Sequence, residues 1–196
     1  MDDTATPLSA PAQVESVIRR LSLLQAGGET TADPFVAPLF PGFHFDTRLV
    51  AGITPIERGG PLDFRIERPD GMRGWIINLT VKGSGEVFDG ENRFTVEPGD
   101  LVLFPPGAIH DYGRAPGASE WWHRWIYFQP RAFWSGWLSW RGARGAFFVQ
   151  RVDDKSLVAT LEALFGEVAS WSANTDLLSM ELAMNLLERV ILLCAK

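Results

Sequence analysis

Residues 94–128 read FTVEPGDLVLFPPGAIHDYGRAPGASEWWHRWIYF. The first part is a strand, a turn and a second strand. Pro98 fixes φ and Gly99 permits a positive one, so Glu97-Pro98-Gly99-Asp100 makes a tight turn. Residues 101–104, LVLF, form a short apolar run that suits a buried strand. Pro105-Pro106-Gly107 ends it, because proline brings no N–H to a sheet ladder. The chain becomes extended again over 108–112. Residues 121–128, WWHRWIYF, then predict a strand with two unlike faces. Trp121, His123, Trp125 and Tyr127 point one way, and Trp122, Arg124, Ile126 and Phe128 the other.

Upstream, the same grammar repeats. Residues 48–58, RLVAGITPIER, are strand-like. Residues 61–69, PLDFRIERP, alternate cleanly: Leu62, Phe64 and Ile66 on one face, Asp63, Arg65 and Glu67 on the other. Arg68 falls on the apolar face. A guanidinium turned inward is costly unless something pairs with it. Either Arg68 meets such a partner, or Pro69 ends the strand and Arg68 turns to solvent. Residues 70–74 make a turn, 75–81 a strand, 82–85 a turn and 86–88 a strand. Asp89-Gly90 is a hairpin turn and 94–96 the return strand. Short strands at this spacing predict a sandwich or barrel.

The character changes after Pro130. Residues 132–140 carry Phe133, Trp134, Trp137, Leu138 and Trp140, as an amphipathic helix or an aromatic connector. A helix over 157–171 places Leu157, Leu161, Leu164, Phe165 and Val168 on one stripe. A second helix spans 176–194 and is apolar on more than one side. Leu178, Leu182, Asn185 and Leu192 lie near one seam at roughly heptad spacing. Leu186, Leu187, Val190 and Ile191 fill the rest. A helix apolar most of the way round is buried on two sides. One side is expected on the barrel and the other on a second copy, with Asn185 as a polar register-setting position; the alternative is a helix central to its own subunit.

At the other end, Val14, Val17, Ile18, Leu21 and Leu24 have helical spacing, so residues 1–33 read as an extension that is either a short amphipathic helix or unstructured. Residues 34–47, PFVAPLFPGFHFDT, are proline- and aromatic-rich and suit a segment lying extended over a surface.

The full chain of 196 residues is 46% hydrophobic and 12% aromatic, enough for the core of one ordinary domain. It has no uncharged apolar run long enough to cross a membrane as a helix, and an acidic, polar N-terminus unlike a secretory signal. A single cysteine excludes an intrachain disulfide framework and fits a reducing cytoplasm. A net charge of -6 argues against nucleic acid or anionic membrane as a direct partner of this chain.

The offsets of Gly99, Pro105, Gly107 and His110 resemble the second signature of the cupin superfamily. That likeness implies a small β-barrel (a jelly roll) holding a metal or a small molecule in its mouth. A metal-binding cupin usually takes a His-x-His pair and a carboxylate from its first signature. Here that region is 75–81, with Asn78 and Thr80 at the histidine positions. The chain has three histidines, His44, His110 and His123, and a 3-His site would need one from the irregular N-terminal segment. No metal or other cofactor is therefore expected, and His110 is expected to be a structural turn residue. No Ser-His-Asp order, phosphate loop or CxxC appears. An aromatic mouth with an inward arginine, a histidine and hydroxyls suits a neutral polyol: tryptophan stacks on the sugar's C–H face and the polar groups bond its hydroxyls.

With those residues in view, the chain resembles the N-terminal sugar-binding and dimerisation domain of the AraC-type regulators of the bacterial L-arabinose operon. The matching runs are PLFPGFHF (38–45), LVAGITPIE (49–57), LDF-I-RP-GM-G (62–74), INLT (77–80), PGD-LLFPPG-IH-YGR with Val102 for an aliphatic residue (98–114), EWWHRWIYFQPRAFW (120–134) and LAMNLLE (182–188). The resemblance implies a non-enzymatic L-arabinose sensor: a mostly β chain, 34–196, with a 34–47 arm, a cupin-like barrel over 48–150 and two packed helices over 155–195. It implies that Arg68 holds ring and hydroxyl oxygens, Trp125 stacks on the pyranose, and Thr54, Tyr112 and His123 bond hydroxyls. Pro38, through its carbonyl, and Phe45 would belong to an arm that closes over the sugar. The homodimer would form through Leu178, Leu182, Asn185 and Leu192. Sugar would switch the arm between the pocket and a DNA-binding domain. Such regulators continue into a linker and a helix-turn-helix domain that this sequence lacks, so DNA contact is expected only through that absent domain. The sequence reads as a fragment or as a stand-alone sensor. A metal-dependent cupin enzyme acting on a sugar and a purely structural dimerisation module are the competing readings.

Overall fold

The computed structural model describes residue 45 and residues 47–195, apart from 141 and 175. The N-terminal extension over 1–33, expected to be helical or unstructured, lies outside the described residues, as do Pro38 and His44. The described residues form ten strands: β1 (Leu49–Glu57), β2 (Ile66–Arg68), β3 (Trp75–Gly83), β4 (Gly85–Phe88), β5 (Arg93–Val96), β6 (Asp100–Phe104), β7 (His110–Arg114), β8 (Glu120–Phe128), β9 (Ala143–Arg144) and β10 (Phe147–Arg151). A 3-10 segment, Ala132–Trp137, follows β8, and the chain closes with α1 (Lys155–Ser172) and α2 (Leu177–Cys194).

The strands make two antiparallel sheets. One has the order β1-β8-β3-β6-β10-β9 and the other β2-β7-β4-β5. Their inner faces share one core: Val50, Ile56, Ile76, Phe104, Trp121 and Tyr127 from the larger sheet meet Ile66, Val87, Val96 and Tyr112 from the smaller. This is the cupin-like barrel with two C-terminal helices that the strand pattern and signature predict. A second core lies on the outer face of the larger sheet. Leu49, Ala51, Ile77, Leu79, Ile126 and Phe128 pack there against Leu161, Leu164, Phe165 and Val168 of α1 and Ala183, Leu187, Val190 and Ile191 of α2. The two faces assigned to 121–128 from alternation are thus the two faces of β8: Trp121 and Tyr127 look into the barrel, Ile126 and Phe128 toward the helices.

Both helices start at an aspartate. Asp154 accepts from the Ser156 and Leu157 amides at 2.8 and 3.3 Å, and Asp176 from the Ser179 amide at 2.9 Å. Tight connections impose glycine at few positions. Gly83 has φ +67°, and a Cβ there would stand 2.0 Å from the Glu120 carbonyl oxygen.

One reading needs correction. The alternation over 61–69 predicts a long strand, but β2 keeps only Ile66–Arg68. The Asp63 carboxylate takes the Gly59 amide at 2.8 Å and pairs with Arg114 at 2.9 Å, so the backbone before β2 turns upon itself. Residues 132–140, expected as an amphipathic helix or an aromatic connector, form the connector, with one short 3-10 segment in it. A 3-10 turn buries Trp134 and leaves Phe133 exposed.

Candidate functional site

β1 and β8 pair antiparallel with Thr54 opposite His123 and Gly52 opposite Trp125. Inward residues two apart on neighbouring strands reach one another diagonally, and the Trp125 indole N–H donates to Thr54 Oγ1 at 3.1 Å. From the smaller sheet, β2 pairs with β7 so that Ile66 faces Tyr112 and Arg68 faces His110. Period-2 geometry turns all four of these toward the same interior.

Phe45, Thr54, Ile66, Arg68, Ile76, Tyr112, His123 and Trp125 line one cavity, about 330 Å³ counted out to its mouth. Six of the seven residues singled out from sequence stand in it, and the seventh, Pro38, lies outside the described residues. Phe45 places its ring 5.8 Å from Trp125, nearly parallel, and 4.7 Å from Tyr127.

The inward arginine is real: Arg68 is 4% exposed. Its Nη1 donates to His110 Nδ1 at 3.0 Å and, at the long distance of 3.4 Å, to the Tyr112 hydroxyl. His123 is buried, stacks on Trp121 at 4.2 Å and meets the Tyr112 ring edge-on at 6.0 Å. Burial first, and the positive charge of Arg68 second, push His123 down to about 3 and His110 well below the ordinary histidine value. Both imidazoles are neutral at physiological pH. The cavity wall therefore combines a cationic fork, one neutral imidazole (His123), two hydroxyls and aromatic faces, without a carboxylate.

His110 is not a turn residue. It opens β7, is 1% exposed, and packs its ring 4.4 Å from Phe104. Its contact with Arg68 could have been inferred only from strand register. Ile66 and Ile76 are further wall residues not singled out from sequence, although alternation had already placed Ile66 on the face of Arg68. At the first-signature positions, Asn78 and Thr80 are buried, and Thr80 Oγ1 accepts from the Trp121 indole at 3.2 Å. Among the described residues no three His, Cys, Asp or Glu side chains come together as a metal-ligand set.

The family model for the AraC-like ligand binding domain matches residues 50–187. The chain belongs to this family. It is 48% identical over 157 residues to the arabinose operon regulatory protein of Salmonella typhimurium, covering 79% of this chain and 55% of that protein. Its identity to the Escherichia coli arabinose operon regulatory protein is 47% over 157 residues, with 79% and 53% covered. The chain spans about half the length of these curated relatives. Apo ToxT from Vibrio cholerae matches it with a TM-score of 0.50 at 10% identity, over 76% of this chain and 54% of that one, a likeness of fold alone.

In this AraC-like domain α2 keeps an uncovered side. Leu178 is 77% exposed, and Leu182, Asn185 and Leu192 are exposed along the same face. Arg131 reaches across to that helix. It donates to Asn185 Oδ1 at 3.0 Å, Glu188 at 2.9 Å and Glu181 at 2.7 Å, while the Trp134 indole N–H donates to Glu188 at 2.8 Å. The side-chain oxygen of Asn185 is thus engaged within its own chain. None of the helices among the described residues is long and apolar enough to cross a membrane.

Proposed function

We propose that this domain is the sugar-sensing part of a transcription regulator and that its ligand is L-arabinose. The observation that carries the reading is the convergence of Phe45, Thr54, Arg68, Tyr112, His123 and Trp125, from a connector and four strands, on one cavity. The naming of both relatives for the arabinose operon supports it.

In this reading Trp125 stacks on the C–H face of the pyranose. Arg68 donates to ring and hydroxyl oxygens, and Thr54, Tyr112 and His123 bond the remaining hydroxyls. A neutral His123 suits this work, because a neutral ring offers one donor and one acceptor to a hydroxyl that needs both. Pro38, through its carbonyl, and Phe45 contribute from the 34–47 arm. Closure of that arm is the switch, and sugar drives it by binding the closed state more tightly than the open one. The exposed face of α2, with Leu178, Leu182, Asn185 and Leu192, pairs with a second copy. DNA is contacted through a helix-turn-helix domain outside this sequence, and the protein acts in the cytoplasm.

The test is a calorimetric and tryptophan-fluorescence titration with a panel of pentoses and hexoses. L-Arabinose is expected to bind with release of heat and to quench Trp125, with the other sugars weaker, because a buried polar wall rejects ligands that leave a group unpaired. No heat with millimolar L-arabinose beside clear binding of another pentose would sink the assignment.

A further inference from the structure

We infer that His110, which does not line the cavity, is a positioning residue for the sugar site: its Nδ1 holds the Arg68 guanidinium in the orientation that presents donors to the ligand. The inference rests on the sugar-binding reading of the cavity.

Arg68 and His110 are directly opposed in the β2–β7 ladder, and both side chains point into the barrel. Arginine has only donors. At 3.0 Å from Nη1, Nδ1 must therefore be the acceptor, which puts the imidazole proton on Nε2. That nitrogen is buried without a hydrogen-bond partner among the described residues. A buried unmatched N–H disfavours histidine at this place unless its other nitrogen is needed, and Nδ1 is the atom Arg68 uses. The ring itself is fixed: Phe104 packs against it at 4.4 Å and Tyr112 at 5.9 Å. A long arginine side chain has many rotamers, and a ligand-binding fork is useful only when its direction is set before the ligand arrives. Tyr112, at 3.4 Å, is too distant to set it as firmly.

The experiment compares three variants. His110→Asn keeps an acceptor where Nδ1 stands. His110→Gln moves the acceptor out to the place of Nε2, and His110→Leu removes it. Each is titrated with L-arabinose by calorimetry, and each is melted without sugar. The expectation is that Gln and Leu weaken binding roughly tenfold or more, the range seen when the partner of a ligand-holding group is lost. Asn is expected to stay within about threefold of the parent protein. If Gln binds as the parent does, or if Asn loses as much as Gln with similar melting temperatures, the positioning role is overturned. A purely structural role would track melting temperature and not the place of the acceptor. Should Leu fail to fold, the Asn–Gln comparison decides alone. If the parent protein binds none of the sugars in the panel, it is the sugar reading that has failed, and this inference falls with it.

Discussion

Replacing Arg68 by methionine is the sharpest perturbation of the cavity. Arg68→Met keeps most of the length and apolar contact of the side chain and removes its charge and donors. Arg68 is almost completely buried, at 4% exposure, so solvent cannot substitute for it. A hydrogen bond to a charged group contributes about 1.5–3 kcal/mol, and a sugar hydroxyl left facing a thioether is buried without a partner. Taking about 3 kcal/mol for the loss, affinity for L-arabinose should fall roughly 150-fold. The ligand-free protein should respond differently. Removing a buried charge relieves its desolvation cost, while the buried His110 Nδ1 loses its donor, so the two effects oppose each other and urea unfolding should stay within about 2 kcal/mol of the parent. Calorimetry with L-arabinose and urea denaturation without it measure the two halves separately. Binding within about threefold of the parent would show that the ligand does not touch Arg68. A loss of more than about 3 kcal/mol of stability would show instead that Arg68 holds the fold together, and either outcome refutes the reasoning.

Stability should also report the two buried neutral histidines. His123 has its folded value pushed down to about 3, far below that of an unfolded histidine, and His110 moves the same way. In that window the unfolded chain binds protons that the folded one does not, so stability is full above the unfolded value and falls as pH drops toward the folded one. At about pH 5 the His123 contribution alone should be about 2 kcal/mol less favourable. Urea unfolding between neutral and about pH 5 checks this, with His123→Gln expected to flatten the slope. An unchanged slope would place His123 in solvent. Gly85→Ala should destabilise by about 1–3 kcal/mol, because a Cβ there would lie 2.2 Å from the Trp121 ring. It should weaken sugar binding as well, since Trp121 stacks on His123. A parent-like melting temperature would contradict the packing. Leu182→Asp, on the exposed face of α2, should shift sedimentation from dimer to monomer while leaving sugar affinity unchanged. A variant that remains dimeric would move the interface elsewhere.

Much of this domain was legible in one dimension. Alternation sorted β8 into its two faces, because side chains in a strand alternate whatever surrounds them. The turn Glu97–Asp100 and the stop at Pro105-Pro106 depend on backbone preferences of proline and glycine, which are local. The helix stripe of Leu161, Leu164, Phe165 and Val168 is buried as its period predicts. Asn78 and Thr80, where a His-x-His pair would stand, point away from metal chemistry and toward hydrogen bonding on sequence grounds alone.

What local pattern could not settle was decided by strand register and by contacts between distant segments. Whether Arg68 faced the core or the solvent was undetermined, because both satisfy the same alternation up to Pro69. The β2–β7 pairing decided it by placing His110, 42 residues on, opposite the guanidinium. The length of β2 escapes local pattern for the same reason: Asp63 turns the chain to reach Arg114, 51 residues away. The heptad position of Asn185 points to a partner copy, but no local pattern foretells that its oxygen also accepts within the chain from Arg131, which follows β8. Periodicity says which side a residue faces. Which groups meet there, and hence what residues 94–128 contribute to a binding site, depends on a register that no single stretch of sequence contains.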